Sequence, residues 1–168
     1  MTEMKDKHFT AAVITLSDKG AAGEREDQSG PLLAELLARS GYEVVETLLL
    51  PDGVEPLAGT LRRLADEQKV TLILTTGGTG FSPRDLTPEA TKAVCERMAP
   101  GIAEAMRMES LRITPHAMLS RQTAGIRGGT LIINMPGSPK ACREDWAVIA
   151  AALPHGLGVL RGLDGECG

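Results

Sequence analysis

Apolar positions along the chain repeat with two periods, and their alternation predicts a layered fold. Residues 9–16, FTAAVITL, are a short, mostly apolar run with β-branched residues, the pattern of a strand buried on both faces. Residues 19–30 mix glycine and charge without period and read as a mobile loop. Leu32, Leu33, Leu36 and Leu37 then recur at helical spacing, with Pro31 suited to the first helical position and Gly41 to the stop. Residues 44–50 give a second strand, closed by Pro51-Asp52-Gly53, and Leu57, Leu61 and Leu64 mark an amphipathic helix to about Gln68. Residues 70–74, VTLIL, form a third buried strand that runs into a glycine-rich turn, and residues 88–97 follow as a helix with Thr87 as its N-cap. Residues 130–134, TLIIN, are the last strand, and residues 136–139 lead into a helix to about Leu153. Between them, residues 102–111 can be helical, while the stretch to Arg127 reads as irregular.

Nearly all-apolar strands alternating with helices predict an α/β fold, a three-layer sandwich whose mainly parallel sheet is covered by helices on both faces. At 168 residues the chain suits one domain over 1–168. Only 2% of the residues are aromatic and the net charge is -4, so base stacking and a general attraction for polyanions are both absent, and nucleic acid is not an expected partner. Cys95, Cys142 and Cys167 form no CxxC pair, and no run is long and apolar enough for a signal peptide or a bilayer span. A cytoplasmic protein without disulfides, zinc knuckle or membrane segment is expected.

Ligands in such sheets bind beyond the carboxyl ends of the strands, which here gathers Ser17-Asp18, Pro51-Asp52-Gly53, the glycine turn and residues 134–138 on one rim. Within residues 75–85, TTGGTGFSPRD, the glycines Gly77, Gly78 and Gly80 let backbone N–H groups approach an anion, and Thr76 and Thr79 add hydroxyls. The same residues would also make a tight strand-to-helix turn. No GxxxxGK occurs, and Pro83 replaces the third glycine of GxGxxG, so neither a P-loop NTPase nor a Rossmann dehydrogenase is supported. Asp85 beside a phosphate site is unfavourable unless a divalent cation intervenes, which makes it a candidate metal ligand; Asp52 could supply a second carboxylate, although both could simply cap turns. Ser120 and Arg121, near Arg127, could grip a phosphate, and Pro136, Gly137 and Ser138 offer a helix N-terminus that suits an anion or a plain cap.

Taken in order, Ser17-Asp18, Asp27-Gln28-Ser29-Gly30-Pro31, Pro51-Asp52, TTGGTGFSPRDLTPEAT over 75–91 and LSRQTAGIRGGTLIINMPGSPKA over 119–141 resemble the MogA/MoaB family of molybdopterin-binding proteins. They are especially similar to its molybdopterin adenylyltransferase branch, which includes the G domains of plant Cnx and animal gephyrin. The resemblance implies transfer of AMP from ATP to the terminal phosphate of molybdopterin, with magnesium as cofactor and pyrophosphate as product. By matching position it implies that Asp52 and Asp85 are the essential, metal-binding aspartates and Ser120 a pterin-site serine, with Ser17 and Asp27 among the substrate-binding residues. It also implies a homo-oligomer, a trimer before a hexamer, and hand-off to a molybdate-inserting enzyme. The alternative within the family is a MoaB-type protein that binds molybdopterin without turnover.

Overall fold

The computed structural model describes residues 7–163; Cys167 and the tail from 164 lie outside the described residues. Its elements are β1 (Thr10–Leu16), α1 (Asp18–Ala21), α2 (Ser29–Arg39), β2 (Glu43–Leu50), α3 (Val54–Asp66), β3 (Leu72–Thr76), α4 (Thr87–Val94), β4 (Arg97–Met98), α5 (Pro100–Leu111), a 3-10 turn (Pro115–Leu119), β5 (Ala124–Arg127), β6 (Thr130–Met135), α6 (Pro139–Ile149) and α7 (Leu153–Leu160). The strands form one sheet in the order β2-β1-β3-β6-β5-β4. Its first three pairings are parallel, and the β6-β5-β4 edge is antiparallel.

Strand alternation sorts the core into two layers. Ala11 and Val13 of β1 join Leu33 and Leu37 of α2, Trp146 and Ile149 of α6 and Leu157 of α7 on one face. Ala12, Ile14 and Leu16 join Leu57, Leu61 and Leu64 of α3 and Val94 of α4 on the other. The expected three-layer α/β sandwich is what forms. Because β1 has β2 on one side and β3 on the other, the connections leaving its end and that of β3 diverge, opening a crevice at the carboxyl ends of these two strands. Among the described residues no helix is long and apolar enough to cross a membrane.

Several boundaries differ from the sequence expectation for identifiable reasons. Residues 19–21 of the expected loop join Asp18 in α1, because Ser17 Oγ accepts from Gly20 N at 2.9 Å and caps a single turn. Helix α2 begins at Ser29, so Pro31 is not its first residue; Asp27 Oδ1 accepts from Gly30 N at 3.0 Å and supports the earlier start. Thr87 is the first residue of α4 and not its cap, its hydroxyl being spent on Gly77 O, and α4 stops at Val94 because Cys95 is extended. The final helix breaks at Ile149 and restarts as α7, with Pro154 in its first turn, where no N–H partner is needed. Strands β4 and β5 fall within stretches read as helical and irregular. Their approach depends on Gly125, where a Cβ would lie 2.6 Å from Cys95 Sγ.

Candidate functional site

The glycine turn after β3 is held from outside by its own carbonyls. Gly77 O accepts from Thr87 Oγ1 at 2.9 Å, Gly78 O from Thr87 N at 3.1 Å, and Thr79 O from Arg121 N at 2.8 Å. Gly80 O accepts from Arg121 Nε at 2.9 Å, and Arg121 Nη2 reaches Asp85 O at 2.6 Å. Four successive carbonyls thus face protein donors. The N–H groups of Gly78, Thr79 and Gly80 donate no hydrogen bond among the described residues, which is the arrangement of an anion cradle. Gly77 and Gly78 carry φ of 94° and 70°. A Cβ at Gly77 would lie 2.5 Å from Leu16 O, and one at Gly78 would overlap Thr87 Oγ1, so both positions need glycine for backbone shape and for space.

A cavity of about 510 Å³ opens beside this turn. Ser17, Asp27, Asp52, Thr76, Gly77, Gly78, Asp85 and Gly137 line it, together with Gln28 of the 27–31 motif and with Arg25, which the sequence did not single out. Thr79, Gly80, Ser120, Arg121, Pro136 and Ser138 are not among its lining residues. Ser138 caps α6 through Ala141 N at 3.2 Å, and Pro136 O accepts from Thr76 Oγ1 at 2.6 Å, tying the ends of β3 and β6 together. Asp27 is fixed by Thr15 Oγ1 at 2.7 Å as well as by Gly30 N. Arg121 is a clamp on the turn, paired with Glu89 at 2.8 Å, so in this arrangement its guanidinium holds the cradle from behind. Arg127 lies elsewhere, bound to Asp66 at 2.7 Å and to Val94 O at 2.9 Å.

Two carboxylates flank the cradle. A Cβ on Gly78 would lie 3.4 Å from Asp52 Oδ1, and one on Gly80 would lie 2.9 Å from Asp85 Oδ2. Asp52 Oδ2 accepts from Asp18 N at 3.0 Å and Asp85 Oδ2 from Ser82 N at 3.0 Å, leaving Oδ1 of each without a hydrogen bond among the described residues. Partial burial pushes the Asp52 carboxyl above its ordinary range, and the charges of Asp18 and Asp85 add to the rise. The nearby cation is committed: Arg84 forks onto Asp18 at 3.0 and 2.9 Å, holding that carboxyl low, and donates to Asp52 O at 2.6 Å. The Asp18–Arg84 pair was not legible in the sequence, its members lying 66 residues apart. Among the described residues no three His, Cys, Asp or Glu side chains form a self-sufficient metal cage. Two under-compensated carboxylates beside free N–H groups suit a divalent cation that takes its remaining ligands from phosphate and water.

Residues 12–155 match the family described as "Probable molybdopterin binding domain". The chain is 44% identical to gephyrin of Dictyostelium discoideum, over 93% of this chain and 23% of that protein, so only that fraction of gephyrin is represented. It is 42% identical to a molybdopterin adenylyltransferase of Helicobacter pylori strain J99, over 89% of this chain and 86% of that one. The solved structure of the molybdopterin biosynthesis enzyme MoaB from Thermus thermophilus superposes with a TM-score of 0.87 at 47% identity, covering 92% of this chain and 97% of that one.

Proposed function

This chain belongs to the molybdopterin-binding domain family, and on that premise we propose that it is a molybdopterin adenylyltransferase of molybdenum cofactor biosynthesis, acting as a single domain in the cytoplasm. One observation carries the chemistry: the carbonyls of Gly77 to Gly80 are all turned onto protein donors, leaving the N–H groups of Gly78, Thr79 and Gly80 for phosphate between Asp52 and Asp85. In the proposed reaction an oxygen of the terminal phosphate of molybdopterin attacks the α-phosphorus of ATP. The bond from that phosphorus to the bridging oxygen breaks, and pyrophosphate leaves; no covalent enzyme intermediate is required.

In this reading the cradle N–H groups bind phosphate oxygens and hold the two reactants in line, a positional advantage that depends on the rigidity Thr87 and Arg121 give the turn. Asp52 and Asp85 are the residues that would hold magnesium, which when bound offsets the charge of the triphosphate. Ser120, beside the turn through the Arg121 N–H on Thr79 O, contacts the pterin, while Ser17, Asp27, Thr76 and Gly137 shape the cavity. A homo-oligomer and hand-off of the product to a molybdate-inserting enzyme complete the proposal.

Purified protein with ATP, Mg²⁺ and molybdopterin is expected to yield adenylyl-molybdopterin and pyrophosphate, and Asp85→Asn to lower the rate at least about a hundredfold while pterin binding persists. Absence of wild-type product would sink the assignment. A second reading, molybdopterin binding without turnover, draws on the family description, which names binding alone. It predicts pterin binding by calorimetry with no Mg²⁺-dependent consumption of ATP.

A further inference from the structure

On the far side of the glycine turn, a buried polar chain runs from α6 to the segment that carries Ser120. Asp145, 3% exposed, accepts from Ser110 Oγ at 2.8 Å and faces Gln122 Nε2 at 3.5 Å. The same Nε2 lies 3.5 Å from Met106 Sδ. Carboxylate and thioether both accept, so the amide nitrogen belongs on that side and Oε1 on the other. Oε1 therefore takes the proton of Ser120 Oγ, at 2.8 Å. Gln122 N in turn donates to Ser120 Oγ at 3.3 Å. Arg107 fixes the same segment, donating to Ser120 O at 3.1 Å and Gln122 O at 2.8 Å.

A serine hydroxyl has one proton and two acceptor sites. Here the proton and one acceptor site are already used, so Ser120 Oγ can offer a ligand only one lone pair. We propose that Gln122, held by Asp145, is a positioning residue that makes the Ser120 hydroxyl an acceptor, so that what Ser120 recognises is an N–H donor of the ligand. The amino and ring-amide N–H groups of a pterin have that chemistry; a phosphate oxygen, which needs a donor, does not. The inference rests on the reading of Ser120 as a pterin contact.

The test is a double-mutant cycle on the full chain, with Kd for molybdopterin and KM for ATP as readouts. Ser120→Ala and Gln122→Met are each expected to weaken molybdopterin binding about tenfold and to leave the KM for ATP within about twofold, and the double variant to bind no more weakly than Ser120→Ala. Gln122→Asn, too short to span Asp145 and Ser120 together, serves if Gln122→Met does not fold and is expected to show the same loss. Additive losses, an equal rise in the KM for ATP, or an unchanged Kd in the Gln122 variants beside a weakened Ser120→Ala would overturn the inference alone. Wild-type affinity in Ser120→Ala would instead overturn the pterin assignment of Ser120 itself.

Discussion

Asp52 is where the proposed chemistry and stability pull against each other most directly. Its folded pKa is raised by burial first, then by Asp18 and Asp85, so the folded chain binds the proton more tightly than the unfolded chain does. Stability contributed by this group is therefore greatest in acid and falls as pH climbs from the unfolded carboxylate value through the raised one, leaving a constant deficit at neutral pH. Asn at this position keeps an oxygen for the Asp18 N–H and removes the charge. Asp52→Asn should raise the apo melting temperature at pH 7, on the order of 2 °C, narrow the gain between pH 7 and pH 4, and abolish adenylyl transfer. Calorimetry at the two pH values checks it; a melting temperature that drops at pH 7 would show that the carboxylate is not under strain. Asp52, Asp85 and the glycines were legible because their types carry chemistry on their own. The clamp by Arg121 and the fork of Arg84 on Asp18 were not, since a guanidinium in a loop reads as solvated until the fold supplies its partners.

At the scale of elements, the cradle depends on β3, β6 and α4 being locked together just beneath it. Asn134 on β6, fully buried, does this: Nδ2 donates to Thr75 Oγ1 at 3.0 Å and Thr91 Oγ1 at 2.9 Å, and Oδ1 accepts from Thr123 N at 3.2 Å. Replacing it with Leu would leave the buried Thr75 Oγ1 without its partner, take the acceptor from the Thr123 N–H, and leave Thr91 Oγ1 only its bond to Thr87 O. Asn134→Leu is expected to cost about 3 kcal/mol and to lower the melting temperature on the order of 10 °C, with a rise in the KM for ATP as the turn loosens. A stability within about 0.5 kcal/mol of wild type in urea titration would show that the network does not hold these elements. The elements that frame this node, β1, β3 and β6, were plain from apolar runs alone. Strand β2 was also found, yet it sits at the sheet edge and its alternate exposure shows one face more open than the other, not a strand covered on both faces. Strands β4 and β5 escaped because one has two residues and the other carries Gly125, leaving too few side chains to show a period.

Over the whole molecule, the uneven distribution of exposed apolar side chains bears on the expected oligomer. Met98, Met108, Leu111, Ile113, Met118 and Leu119 are all exposed within one short stretch, with Met108 at 69% and Met118 at 63%. An apolar groove of about 400 Å³ also lies between α5 and the junction of α6 with α7, lined by Ile102, Ala105, Val148 and Leu153. Exposed apolar side chains gathered in one segment, with an apolar groove on the same helix, are what an interface between copies would cover. Met108 and Leu111 lie on α5, which also carries Arg107 and Ser110, so association through that helix would stiffen the elements behind Ser120. Sedimentation velocity at tens of micromolar is expected to give a mass near three chains, and Met108→Glu combined with Met118→Glu to give monomers that keep the helical circular dichroism of the parent. Those monomers should bind molybdopterin more weakly than the parent while their KM for ATP changes little, because the cradle is braced from α4 and Arg121. A wild-type monomer at that concentration would remove the interface from this face, and equal losses for both ligands would show that the site as a whole depends on assembly.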